Sequence, residues 1–86
     1  MARIIDGEAQ NLVGKIVRKY RKMNRMTQTD LSLRLELLGV YVCRGSVSRI
    51  EDCSRTVTDI ELYAIARVLG IPWDELSPEK LFSAED

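Results

Sequence analysis

Histidine is absent from this 86-residue chain. The chain therefore lacks the side chain that most often acts as a general base or completes a zinc site beside two cysteines. Only two cysteines occur, Cys43 and Cys53. Without histidine they cannot make up a zinc site within one chain. Residues 1–6 carry Arg3 but no apolar stretch of the signal-peptide kind. A cytoplasmic location is therefore the expectation, a disulfide is not, and the two residues read as reduced thiols in or near the core. Two prolines and five glycines leave little room for long irregular stretches. The longest apolar run, Leu37 to Cys43, contains Gly39 and falls far short of the ~18 residues needed to span a bilayer. There is no glycine-rich phosphate loop, and the carboxylates cluster in solvated pairs such as Glu51-Asp52 and Asp74-Glu75. The chain reads as no enzyme, with no catalytic residues, metal ligands or cofactor and no membrane partner.

What is present suits one small folded domain, with 45% hydrophobic residues. Formal net charge is zero, but the charge is segregated. Residues 1–55 hold eleven basic side chains against six acidic ones, a surplus of five. Residues 56–86 hold two basic against seven acidic, a deficit of five. Such a dipolar chain can turn a basic face to a polyanion; the plainer alternative is chance segregation of surface charge.

Apolar periodicity is helical throughout. Leu12, Val13, Ile16, Val17 and Tyr20 predict a first helix over 8–23, broken at 24–26. Thr27 caps a second helix reaching residue 38 on Leu31, Leu35 and Leu38, stopped by Gly39. A linker over 40–45 leads to a short third helix, 46–52 with its cap, that turns Val47 and Ile50 inward. Thr58-Asp59-Ile60-Glu61 is a capping box opening a fourth helix that buries Ile60, Leu62, Ile65, Ala66 and Leu69 and ends at Gly70. Pro72 starts a short fifth helix over 72–76, and Ser77-Pro78 begins a last turn through Phe82.

The third helix carries the chemistry. Arg44, Ser46, Ser48 and Arg49 face outward, and such side chains suit base edges and phosphates. A short helix preceded by a capped one is also how such groups reach a major groove. The basic run Arg18, Lys19, Arg21, Lys22 and Arg25 places Arg18, Lys22 and Arg25 together, either as phosphate contacts or as a solvated face. Trp73 reads either as core cover or as a partner surface.

The order Arg18-x-x-Arg21, Thr27-Gln28-x-x-Leu31, Ser46-Val47-Ser48-Arg49-Ile50-Glu51 resembles the Cro/CI family of helix-turn-helix regulators. The stretch from Leu62 through Gly70-Ile71-Pro72 to Leu76 is similar to the same family. The resemblance covers about residues 12 to 76 and implies an all-α, lambda-repressor-like five-helix bundle of bacterial or phage origin. In such a bundle the second and third helices read double-stranded DNA. It implies a phosphate contact for Gln28 beside Thr27, and base readout by Arg44, Gly45, Ser46, Ser48 and Arg49. It also implies backbone contacts at Ser54 and Arg55 and a structural ion pair between Arg21 and Glu51. The chain departs from the family pattern twice. The stretch from Glu36 to Arg44 is about five residues longer than the usual turn, like a variant branch with an extended second helix. Cys53 also stands where the family commonly has glycine.

The domain reading is an N-terminal arm at 1–7, a helix-turn-helix DNA-binding domain at 8–77 and a C-terminal turn and tail at 78–86. The functional expectation is a small transcriptional regulator, a repressor. It would act as a homodimer held through the acidic half around Trp73, Leu76, Leu81 and Phe82. The rival is a protein-interaction module, an antitoxin or adaptor, gripping a protein partner with that same half.

Overall fold

The computed structural model describes residues 9–77. They form α1 (Gly14–Met23), α2 (Gln28–Leu37), α3 (Arg44–Glu51) and α4 (Asp59–Leu69), followed by a 3-10 turn at Trp73–Leu76. No strand occurs among them. The two outermost segments of the domain reading, 1–7 and 78–86, and the final turn expected through Phe82 lie outside the described residues.

Each helix and the α2–α3 turn give at least one fully buried side chain to a single core. Val17 comes from α1, Leu31 and Leu35 from α2, and Val42 from the turn. Val47 and Ile50 come from α3, and Ile65 from α4. Burying each contributes about 1.5–3 kcal/mol, against about 1 kcal/mol for a good cap. The core therefore decides that the helices form, and the caps decide where they begin.

Two of the starts are reciprocal capping boxes. The Thr27 hydroxyl accepts the Asp30 amide (3.0 Å) while the Asp30 carboxylate accepts the Thr27 amide (2.9 Å). Thr58 and Glu61 repeat the arrangement at the head of α4 (3.1 Å each way). All four ends share one device. The chain passes through a left-handed residue at Arg25 (φ 58°), Gly39 (83°), Cys53 (62°) and Gly70 (71°). The next amide then bonds back to a carbonyl five residues earlier: Met26 to Arg21, Val40 to Leu35, Ser54 to Arg49 and Ile71 to Ala66. In three of the four, that next residue is apolar and packs on the core.

Four expectations are corrected. The bundle has four α-helices among the described residues, not five. The segment after Pro72 closes only a 3-10 turn, with the Glu75 amide on the Pro72 carbonyl (3.0 Å), because Ser77 is held extended (φ −69°, ψ 153°) before Pro78. The first helix begins at residue 14 rather than 8. Asn11 arrests it, its Oδ1 accepting the amides of Val13 and Gly14 (2.9 and 2.8 Å). The third helix begins at Arg44 rather than 47, with extended Cys43 as its N-cap. Leu38 and Ile60 are 45% and 66% exposed rather than buried, one just past the end of α2 and the other on the outward side of α4's first turn.

Gly14 marks where the start of α1 crosses the end of α3. A Cβ there would collide with the carbonyl oxygen of Ile50, lie 2.9 Å from that of Glu51 and meet the Cys53 sulfur at 2.7 Å. Both oxygens belong to backbone, which cannot swing aside. Gly14→Ala is expected to cost about 1–3 kcal/mol in a denaturant titration. Cys53→Gly is expected to raise the unfolding free energy by about 1 kcal/mol and the denaturant midpoint with it, since glycine takes the left-handed conformation without a Cβ clash. An unchanged or lower midpoint would mean that sulfur packing on Gly14 outweighs the backbone gain.

Candidate nucleic-acid interface

Charge pairing sets the orientation of α3 before any outward side chain matters. Glu51, its last residue, is buried, as is Arg21 on α1. Arg21 Nε donates to Glu51 Oε2 (2.6 Å) and Nη2 to Oε1 (3.0 Å), a two-pronged pair. Its Nη1 donates to the carbonyl of Met26 (2.7 Å), just ahead of α2. Gln28, the first residue of α2, donates through Nε2 to Glu51 Oε1 (3.2 Å). The bond to Glu51 raises the Arg21 pKa above its already high ordinary value, against the opposing effect of burial. One guanidinium thus ties α1, the entry to α2 and the end of α3.

With that end held, α3 turns Val47, Ile50 and Glu51 inward. On its other side Arg44 and Arg49 are exposed, while Gly45, Ser46 and Ser48 are half-buried. Arg49 Nη2 donates to Ser46 Oγ (3.2 Å), which aligns the guanidinium along the helix toward its N-terminus. Four side chains with donors suited to base edges and phosphates therefore share one element. Cys43 stands at the same end, its sulfur 3.4 Å from Ser46 Oγ. The Ser46 hydroxyl, then the Ser46 amide, hold the Cys43 thiol below the ordinary thiol range; the Gly45 amide and the Arg49 charge act in the same direction. Both cysteines are free and half-buried.

The long connection before α3 is pinned rather than loose. Val42 is buried in the core, and the Ser32 hydroxyl of α2 donates to its carbonyl (2.7 Å). Tyr41 stands outward there, as do Leu38 and Gly39 at its start. The extra residues are thus absorbed by burying one valine, and α3 still packs on both α1 and α2.

The remaining candidates divide. Thr27 is exposed at the head of α2, its hydroxyl engaged with the Asp30 amide. Gln28 is half-buried and bonded to Glu51. Ser54 follows α3 and is exposed, its hydroxyl donating to the Arg49 carbonyl (3.2 Å). Arg55 differs. Its guanidinium makes two bonds to Glu61 of α4 (3.1 and 3.0 Å), and Arg55 first of all holds the Glu61 carboxyl below the usual carboxylate range. Its charge is already matched within the chain. In the basic run, Arg18, Lys19, Lys22 and Arg25 are exposed, while Arg21 is the buried member.

Asn11 was not singled out by the sequence reading. Its Nδ2 donates to the carbonyls of Ile50 (3.1 Å) and Arg55 (2.8 Å), so the side chain that starts α1 also fastens the exit from α3. The available signal was an N-cap residue type three positions before Gly14. Ser32 and Cys43 gave no comparable signal, because their roles depend on the course of the α2–α3 turn.

Two helices at the front, the second locked by its buried end and bare on its outer side, define a domain that presents one short helix. Residues 17–76 match the family model described as helix-turn-helix, and the chain belongs to that family, of the Cro/CI type. The family is one of DNA-binding transcription regulators and is typically non-enzymatic. Comparison with curated proteins finds no match, and neither does comparison with solved structures. No helix among the described residues is long and apolar enough to cross a membrane.

Glu51→Ala leaves the Arg21 charge buried without its partner. It is expected to cost about 3–5 kcal/mol of unfolding free energy by chemical denaturation. A loss under about 1 kcal/mol would show that the pair does not hold α3.

Proposed function

We propose that this chain is a sequence-specific double-stranded DNA binder that regulates transcription, as a repressor, with α3 in the major groove. The observation that carries the reading is the two-sidedness of α3. Its inner residues are buried and salt-bridged, and its outer side offers Arg44, Ser46, Ser48 and Arg49. Arginine can bridge the two major-groove acceptors of guanine, and serine can donate or accept. Thr27 and Gln28 at the head of α2 and Ser54 after α3 would meet backbone phosphates in this reading. Arg55 contributes there only by exchanging Glu61 for a phosphate. Gln28, already hydrogen-bonded to Glu51, would couple such a contact to the seat of α3. A single domain buries little DNA surface, so useful affinity calls for a homodimer on a two-fold site with half-sites about 34 Å apart.

A second reading, an adaptor or antitoxin gripping a protein, is favoured by one observation. Trp73 is 57% exposed rather than covering the core, and it stacks on exposed Tyr63 (centroids 6.2 Å apart). The two readings differ in which variants fail: Arg49, Ser48 and Gln28 for a DNA binder, Trp73 and Phe82 for an adaptor.

Fluorescence anisotropy against duplexes from the chain's own genomic neighbourhood, at low and moderate salt, tests the proposal. One fragment is expected to bind tightly through moderate salt, and Arg49→Ala to weaken it about 10- to 100-fold. Equal, weak binding to every fragment, lost with salt and indifferent to Arg49, would leave only charge attraction and sink the specific reading.

A further inference from the structure

The outward side of α4 is self-complementary. Asp59, Tyr63 and Arg67 follow one another at four-residue spacing, and all three are exposed. Ile60 lies beside them, and Leu38 and Val40 from the turn after α2 line the same open groove. Tyr63 stacks on Trp73 with ring planes 22° apart, which extends the apolar surface past the end of α4. A contiguous apolar surface of this kind, rimmed by charge, marks an interaction site.

The charges specify what fits it. Asp59 and Arg67 are about 12 Å apart along the helix, too far to pair within one chain. Among the described residues neither forms an ion pair. Tyr63 lies midway between them. A two-fold axis through Tyr63 brings Asp59 of each copy opposite Arg67 of the other. One acid and one base thus yield two symmetric ion pairs around a tyrosine and isoleucine centre, as an isologous interface requires. An unrelated partner would need no such symmetry.

We propose that this face docks a second copy of the chain, α4 antiparallel to α4 about Tyr63. The inference rests on the homodimeric reading above and moves the interface from the C-terminal residues to α4, with Trp73 at its margin. The arrangement leaves α3 of each copy free, since α3 contributes nothing to the groove.

Sedimentation equilibrium of the full chain without DNA, at tens of micromolar, tests it with charge reversals. Wild type is expected to be a dimer. Asp59→Arg and Arg67→Asp each set two like-charge contacts across the axis and are expected to weaken association at least ~10-fold. The double variant restores opposite charges and is expected to recover to within about 3-fold of wild type. Tyr63→Lys, at an exposed position, should give folded monomers with an undiminished thermal transition. It decides the matter if a reversal at the head of α4 unfolds the helix. A monomeric wild type, unchanged single variants, a double variant no better than the singles, or a dimer that survives Tyr63→Lys would each overturn the proposal. A monomeric wild type is what a cover formed by residues 78–86 would produce; single variants without effect and a dimer that survives Tyr63→Lys are what a dimer held elsewhere would produce. Anisotropy on the same samples separates the two proposals. A dimer that obeys the charges but binds no duplex selectively keeps the interface and removes the DNA reading. Selective binding by a protein whose mass ignores the charges does the reverse.

Discussion

The buried pair of Arg21 and Glu51 is the constraint on which the rest of this domain depends. A carboxylate at the end of α3 is tolerable inside the fold only with a cation on it and its acceptor sites used. Arg21 supplies the charge and two bonds, and Gln28 supplies a third. Because the same guanidinium also holds the Met26 carbonyl, α3 cannot rotate or slide without stranding a buried charge. That penalty exceeds what any exposed contact on α3 contributes. The outward side of the helix is therefore preorganised by what lies beneath it.

Neighbouring features reinforce the same junction. Gly14 lets α1 approach the last carbonyls of α3 more closely than any other residue would allow. Asn11 bonds two carbonyls of the same segment from outside. Cys53 accepts a left-handed backbone so that the chain can leave α3 at once, and Arg55 anchors the departing strand of chain to α4. Most of the local irregularity in the fold is spent around the exit of α3. The long turn at its entrance is handled by burying Val42.

On the two proposals, the two halves of the sequence divide the labour. The basic half carries the helix that would meet a polyanion. The acidic half carries α4, whose apolar outer side and opposed end charges suit a copy of itself. This division explains how a chain of zero net charge can belong to a DNA-binding family: the charge is separated along the sequence rather than absent.

Helix identity and most helix stops could be read from the chain alone. So could the caps at Thr27 and Thr58, the inward positions of Leu31, Leu35, Val47, Ile50 and Ile65, and the family. These follow from local preferences and 3.6-residue periodicity, which need only neighbours in sequence. The resemblance also named Arg21 with Glu51, thirty residues apart, which no local rule would connect. What only the tertiary structure decided were matters between segments. Asn11 stops α1 through its neighbours Val13 and Gly14, but its bonds to the Ile50 and Arg55 carbonyls, some forty residues away, tie that start to the exit of α3. The course of the α2–α3 turn, just ahead of α3, was fixed by the burial of Val42 and by the bond from Ser32 to its carbonyl. Periodicity assigns Ile60 and Leu38 an apolar role but cannot say which apolar side meets the core and which is left for another molecule. That depends on where the neighbouring helices cross, and crossing is a property of packing, not of any one helix.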